Sequence, residues 1–260
     1  ARAIGDKLVV IKPNFVAMDR QLAATPVESV EGILEFLRSI GKGKNVVIAE
    51  SAANGPTLDG FANYGYEPVA RKYGAKLVDL DTAPIDRVFA VDQTDMRPKP
   101  VRVAKLLLDR DNFIISAAKF KTHDRVFATL SLKNIVVGAP IKDPGFRWGA
   151  KNKPGVVTDK PIMHGKGFHG LQYNLYDMAS KLRPDLAVID GYEGMEGDGP
   201  VGGTPVDHRV AVTSLDWVAA DRVASHLMGV DVARMGYLQF CAAAGMGEIA
   251  RFLLDARTGR

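Results

Sequence analysis

Short apolar runs, each closed by a polar or helix-breaking residue, alternate along this chain with stretches of helical periodicity. Lys7-Leu8-Val9-Val10-Ile11 is the first such run and stops at Lys12-Pro13-Asn14, the pattern of a buried strand followed by a breaker. Thr25-Pro26-Val27-Glu28 reads as a helix start, with Thr25 as cap, Pro26 at the first helical position and Glu28 completing a capping box. Val27, Val30, Ile33, Leu34 and Leu37 follow at helical spacing as far as Gly41, and 45–50 supplies a second apolar strand. Strand, capped helix and strand of these lengths make a βαβ unit, which requires a parallel sheet.

The alternation continues to the end of the chain. Further strands are expected at 76–80, 112–117, 186–190 and 209–213, and helices at 65–73, 171–182, 218–228 and 231–244, with 101–109 partly helical. The fold class that follows is α/β, a mainly parallel sheet flanked by helices and built from βαβ units. No composition break divides it, so 1–260 reads as a single α/β unit with a basic loop inserted at about 138–170.

Composition narrows the picture. With 47% hydrophobic and 25% charged residues, disordered and fibrous classes are excluded. No run of about eighteen apolar residues exists, so no membrane span is expected. The first residues have no signal-peptide character, which points to the cytoplasm unless an N-terminal leader has been removed. The lone Cys241 rules out an iron–sulfur cluster held within this chain. The net charge is +4, and Lys142, Arg147, Lys151, Lys153, Lys160 and Lys166 against Asp143 and Asp159 place that whole excess in the basic loop. A charged loop of this kind suits a small anion better than nucleic acid, whose binders spread basic charge over a face and interleave it with aromatics. Its length and glycine content predict a mobile lid.

Candidate chemistry gathers where strands end, the edge that lines the ligand crevice of an open parallel sheet. Lys12 and Asn14, Glu50 and Ser51, Lys119 to His123, and Asp190 all stand there. Lys119-Phe120-Lys121-Thr122-His123, followed by Lys133-Asn134, is the densest group. Lys121 and Lys133 are assigned to binding negative charge and His123 to proton transfer, because it titrates near neutrality. Lys133 sits among Leu130, Leu132, Ile135 and Val136, where an ammonium needs a carboxylate or a ligand. His123, His164 and His169 are the candidates for a metal; the alternative is two unrelated loop histidines beside a catalytic one. Gly197, Gly199 and Gly202 match G-x-G-x-x-G, but an apolar strand follows instead of a helix, so no nicotinamide nucleotide is expected. The stretch 191–203 then reads as a flexible loop whose Glu196, Asp198 and Gly199 contribute to a ligand site.

Lys12-Pro13-Asn14, Thr25-Pro26, Ala49-Glu50-Ser51, Lys119-Phe120-Lys121-Thr122-His123, Ser131-Leu132-Lys133-Asn134, Asp190-Gly191 and Glu196-Gly197-Asp198-Gly199-Pro200, in that order, resemble the family catalogued as domain of unknown function 362. The resemblance covers nearly the whole chain and implies a shared α/β fold, without a reaction to carry over. Many members of that family stand beside or are fused to ferredoxin-like iron–sulfur segments. The lone cysteine departs from that pattern, so a redox role implies a separate partner protein. The opening βαβ is also distantly similar to the N-terminal part of nickel-pincer lactate racemases. Two functions follow as expectations: an enzyme acting on a small carboxylate-type anion by Lys/His acid–base chemistry, isomerase-like or redox-associated, or an accessory protein that docks a cofactor-bearing partner. The cofactor itself is left open.

Overall fold

A computed structural model describes residues 1–249. Its main sheet contains β1 (Val9–Lys12), β2 (Val46–Glu50), β3 (Lys76–Asp79), β6 (Phe113–His123), β7 (Phe127–Thr129), β8 (Leu186–Glu196) and β9 (Thr204–Ser214), while β4 (Ile85–Val91) and β5 (Pro98–Ala104) form a separate hairpin. The order is β3-β2-β1-β6-β8-β9, with β7 beside the end of β6. Strands β3, β2, β1, β6 and β8 run parallel, and β7 and β9 are antiparallel to their neighbours. This is the α/β sheet that the alternation predicts.

Helices cover both faces. Against one lie α1 (Val27–Ser39), α2 (Thr57–Asn63) and α3 (Tyr66–Tyr73), closing a core around Ile11, Leu34, Ile48 and Phe61. The other is covered by α5 (Ser131–Val136), α7 (Phe168–Ala179), α8 (Trp217–Leu227) and α9 (Gly236–Ala243), with the one-turn helices α4 (Lys105–Leu108) and α6 (Lys160–Met163) at its margin. Burial of Val30, Ile33, Leu34 and Leu37 on α1 follows the spacing in the sequence.

Several local expectations are corrected. Thr25 does not cap α1: the helix begins after Pro26 with no side-chain cap, so no capping box forms. Instead the buried Thr25 hydroxyl donates to Ala117 O at 2.7 Å and accepts from Asn14 N at 3.0 Å, tying the β1 exit to β6. The 101–109 segment is partly helical as expected, in α4 (Lys105–Leu108), while 101–104 close β5, a strand hidden by Pro98 and Pro100 that pairs with β4. The last helix is shorter than expected, since a 3₁₀ turn at Val232–Arg234 precedes Gly236–Ala243. The strand expected at 112–117 runs on to His123, because the ammonium groups of Lys119 and Lys121 find partners inside the protein.

The stretch 191–203 is strand over its first six residues. β8 continues through Glu196 and pairs with β9, leaving only 197–203 as the turn. A Cβ on Gly191 would stand 2.9 Å from Val210 Cγ2, and one on Gly194 would stand 2.7 Å from His208 Cδ2. These glycines make room for cross-strand packing, and no helix opens after the literal G-x-G-x-x-G match.

The basic segment is not a free lid. Pro140 bridges to Val103 and Lys142 to Thr158. The side chains of Lys142 and Lys160 are buried. Asp143 and Asp159 both bind the Arg102 guanidinium, at 2.7 and 2.9 Å. Only the middle, around 147–157, is largely exposed. Two of the segment's six basic side chains are therefore internal, and its acids anchor it to the hairpin.

Candidate functional site

The chain leaves β1 for β2 on one side, and β6 lies on the other. Connections therefore diverge at the carboxyl ends of β1 and β6, the switch point where open α/β sheets form ligand crevices. A cleft of about 460 Å³ opens there. Lys12 and Asn14 reach it from the β1 exit, Glu50 and Ser51 from β2, His123 from the end of β6, Lys133 from α5, and His164 from just beyond α6.

Its floor is a buried polar network centred on Lys12, Glu50 and Asn134. Lys12 Nζ donates to Glu50 Oε1 at 2.8 Å and to Asn134 Oδ1 at 3.2 Å. Glu50 also accepts from the Ser51 and Phe15 backbone N–H groups, at 2.7 and 3.2 Å. Burial lowers the Lys12 pKa, with Glu50 working the other way. Asn134 accepts additionally from Asn14 Nδ2 at 3.1 Å and donates to Lys12 O and Ser116 Oγ, at 3.1 and 3.0 Å. Asn134 is thus spent on structure and does not line the cleft, contrary to its assignment as a ligand group. The Ser51 hydroxyl is likewise engaged, donating to Asp81 Oδ1 at 2.6 Å. Two buried oxygens that border the cleft, Asn14 Oδ1 and Thr129 Oγ1, have no hydrogen-bond partner among the described residues. Buried polar atoms left this way are costly unless something binds them.

Lys133 stands out among the cations. It is 6% exposed and borders the cleft. Among the described residues its ammonium has no hydrogen bond or ion pair. Burial draws its pKa down to about 7, with Asp124 pulling it up and Lys12 pushing it further down. Its short helix is fixed by Asp221, whose carboxylate accepts from the N–H groups of Ser131 and Leu132, the Ser131 hydroxyl and Tyr237 Oη, at 2.7, 3.1, 2.5 and 3.3 Å. No pattern in the sequence links Asp221 to Ser131, ninety residues apart.

His123 and His164 stack, with ring centroids 6.2 Å apart and planes 20° apart. His123 Nδ1 accepts from Arg125 N–H at 3.0 Å, which leaves the proton of the neutral ring on Nε2. Burial, then Lys133 and His164, hold its pKa far below the usual imidazole range. Asp124 Oδ1 lies 3.0 Å from the same Nδ1, an ion pair only for a protonated ring. With Nδ1 already accepting and Asp124 exposed to solvent, the neutral ring is the form that fits. His164 Nδ1 bonds Lys160 O at 3.0 Å, so its Nε2 carries the lone pair. Burial and Lys133 bring its pKa down to about 4. The pair therefore offers one N–H and one bare nitrogen.

Several assigned residues lie elsewhere. Lys121 does not line the cleft: its Nζ donates to Ala23 O at 2.9 Å, and burial lowers its pKa strongly. Lys119 is turned to Asp190, at 3.4 Å, and neither borders the cleft. Glu196, at the end of β8, and Asp198, on the β8–β9 turn, are exposed. Gly199 packs against the Thr122 backbone, leaving Pro200 as the turn's contribution to the cleft wall. His169 is exposed, apart from the stacked pair, and no three His, Cys, Asp or Glu groups are placed to hold a metal among the described residues.

Arg125 and Trp148 also line the cleft and were not singled out from the sequence, while Lys160 and Lys166, read there only as charges of the basic loop, line it too. Lys160 Nζ donates to Gly138 O and Pro140 O, at 3.1 and 2.7 Å, and burial takes its pKa down to about 7. Gly138 is where the cleft floor passes closest. A Cβ there would lie 2.2 Å from Asn134 O and 2.3 Å from Lys12 Nζ. Gly138→Ala should therefore cost about 1–3 kcal/mol, as overpacking does, seen as a lowered urea midpoint. A stability equal to wild type would show that Lys12 can move aside.

Fold and cleft together define an α/β protein with a cationic crevice at the switch point of a parallel sheet. The model of the family described as Domain of unknown function (DUF362) matches residues 9–226, and the chain belongs to that family. It is also similar to the thylakoid-associated protein sll1697 of Synechocystis sp., 26% identical over 231 residues that make up 88% of this chain. The match spans 65% of that relative's length. No helix among the described residues is long and apolar enough to cross a membrane.

Proposed function

We propose that the cleft binds a small carboxylate-type anion and moves protons on it between histidine and lysine nitrogens, making this chain an enzyme of isomerase-like character. The observation that carries this reading is Lys133, a buried cation with no ion pair among the described residues, facing a cleft that Arg125 and Lys160 also border, while Lys12 and Lys166 there are paired with Glu50 and Asp92. Such a site lacks negative charge, and a bound anion supplies it. Asn14 Oδ1 and Thr129 Oγ1 orient polar groups of the same ligand. The acid–base roles divide differently from the sequence expectation. His123 stays neutral at physiological pH and serves as an N–H donor to a carbonyl or carboxylate oxygen. His164 Nε2 and Lys133 exchange the proton. The accessory-protein reading calls for a flat surface, and the concave site favours the enzyme.

Calorimetric titration with acetate, lactate and pyruvate tests the reading. Binding requires the protonated Lys133, whose pKa is drawn down to about 7. Affinity should therefore hold below that pH and fall up to about tenfold per pH unit above it. Absence of binding at about millimolar anion, or an affinity unchanged between pH 6 and about pH 9, would sink the proposal.

A further inference from the structure

Resting on that reading, we infer that Lys133 is a covalent catalyst whose amine condenses with the carbonyl carbon of an α-keto carboxylate. The argument starts from the six buried lysines. Lys12 is held by Glu50, Lys119 by Asp190 and Lys142 by Asp81. Lys121 is held by Ala23 O, and Lys160 by Gly138 O and Pro140 O. Among the described residues, only Lys133 has no acceptor on its nitrogen, and it borders the cleft. Acceptors around a lysine nitrogen favour the ammonium and fix its direction, and among these six only Lys133 is without them. The groups that act on it electrostatically are Lys12 from β1, Lys121 and His123 from β6, Asp124 from the following turn and His164 from beyond α6. Four of those five are basic, and a desolvated lysine beside basic neighbours is an activated nucleophile. At neutral pH its unprotonated fraction is on the order of 10³-fold that of an exposed lysine.

The step balances without any further reagent. The Lys133 nitrogen bonds the carbonyl carbon as the C–O π bond breaks, and His164 Nε2 carries the nitrogen's first proton to that oxygen, which is held by the His123 Nε2–H, giving a hydroxyl. His164 then carries the nitrogen's second proton to the hydroxyl, which leaves as water, so both amine protons end on the departing oxygen. The product is an imine, which withdraws electrons from the adjacent carbon and so favours proton exchange there. Arg125, held by Asp124 only at 3.7 Å, faces the cleft to neutralise the substrate carboxylate, whereas Lys166 is already paired with Asp92 at 2.7 Å. The apolar wall of Phe15, Val137, Trp148 and Pro161 takes the substrate's side chain.

Reductive trapping tests this on the whole chain. The protein is incubated at about neutral pH with glyoxylate, pyruvate or phenylpyruvate and cyanoborohydride, then mapped by peptide mass spectrometry. The expected result is a saturable carboxyalkyl adduct on Lys133, formed at least about tenfold faster than on any exposed lysine, and absent from Lys133→Arg. Thermal unfolding of Lys133→Arg shows that the variant is folded, and glycine methyl ester, which adds no carbonyl, should give no adduct. Binding of lactate and pyruvate by calorimetry without an adduct at Lys133 from any of the three acids overturns the inference and leaves the anion site standing. Adducts spread evenly over exposed lysines overturn it as well. Neither binding nor adduct removes both readings.

Discussion

Glu50→Ala should destabilise the protein by about 3–5 kcal/mol, the cost of leaving one member of a buried ion pair without its partner. Glu50 and Lys12 are each 1% exposed at their side chains and 2.8 Å apart. Glu50 also receives two backbone N–H groups, from Phe15 and Ser51, so alanine orphans three donors at once. Lys12 has an escape, since it can lose its proton, and burial already lowers its pKa. The sign follows from that direction. A lysine whose folded pKa lies below its unfolded value makes the folded state bind fewer protons, so stability rises with pH until the unfolded lysine also deprotonates. The loss in Glu50→Ala should therefore be largest near neutral pH and shrink towards about pH 10. Urea unfolding at several pH values measures it. The double variant Lys12→Met/Glu50→Leu should lie closer to wild type than Glu50→Ala does, because replacing both charges by apolar groups removes the orphan. A single-variant loss below about 1 kcal/mol would mean that water reaches the pair.

How much of this was legible in the sequence depends on the range of the interaction. The parallel sheet, α1 and the strand-end location of Lys12, Asn14, Glu50 and His123 follow from local periodicity, which side-chain alternation enforces. Lys133 was visible as an ammonium in an apolar stretch. What could not be read is how each buried lysine is satisfied. Lys119, Lys121 and Lys133 look alike in the chain, yet Lys119 meets Asp190 and Lys121 meets Ala23 O, distant partners that only the register of β6 against β8 and the β1 exit brings close. The same holds for Asp221 beneath α5 and for Arg102, which collects both acids of the basic segment. Glycine was misread for a related reason. Gly191 and Gly194 look like loop residues, but their role is set by Val210 and His208 across the hairpin.

Lys133→Met should lower the affinity for a carboxylate by about 10- to 100-fold, the worth of a hydrogen bond to a charged group, while making the fold more stable. The two effects have one origin. An ammonium held in a 6% exposed position without a carboxylate costs the folded state, and its pKa of about 7 against an ordinary 10.5 records that cost. Methionine fills similar volume with no charge to desolvate, so removing the lysine should gain about 1–2 kcal/mol near neutral pH. Because the folded pKa is depressed, wild type binds fewer protons than its unfolded chain between about pH 7 and pH 10.5, and its stability rises across that window. The advantage of Lys133→Met should therefore be fully present below about pH 7 and disappear towards pH 10.5. Lys160, drawn to the same pKa by burial, is present in both proteins and cancels in the difference. Saturating anion should narrow the gap from the other side, since it stabilises only the protein that binds it. Thermal unfolding of both proteins, with and without lactate, gives all these quantities. A variant that loses stability and keeps its anion affinity would show that Lys133 packs the cleft wall and does not bind its ligand.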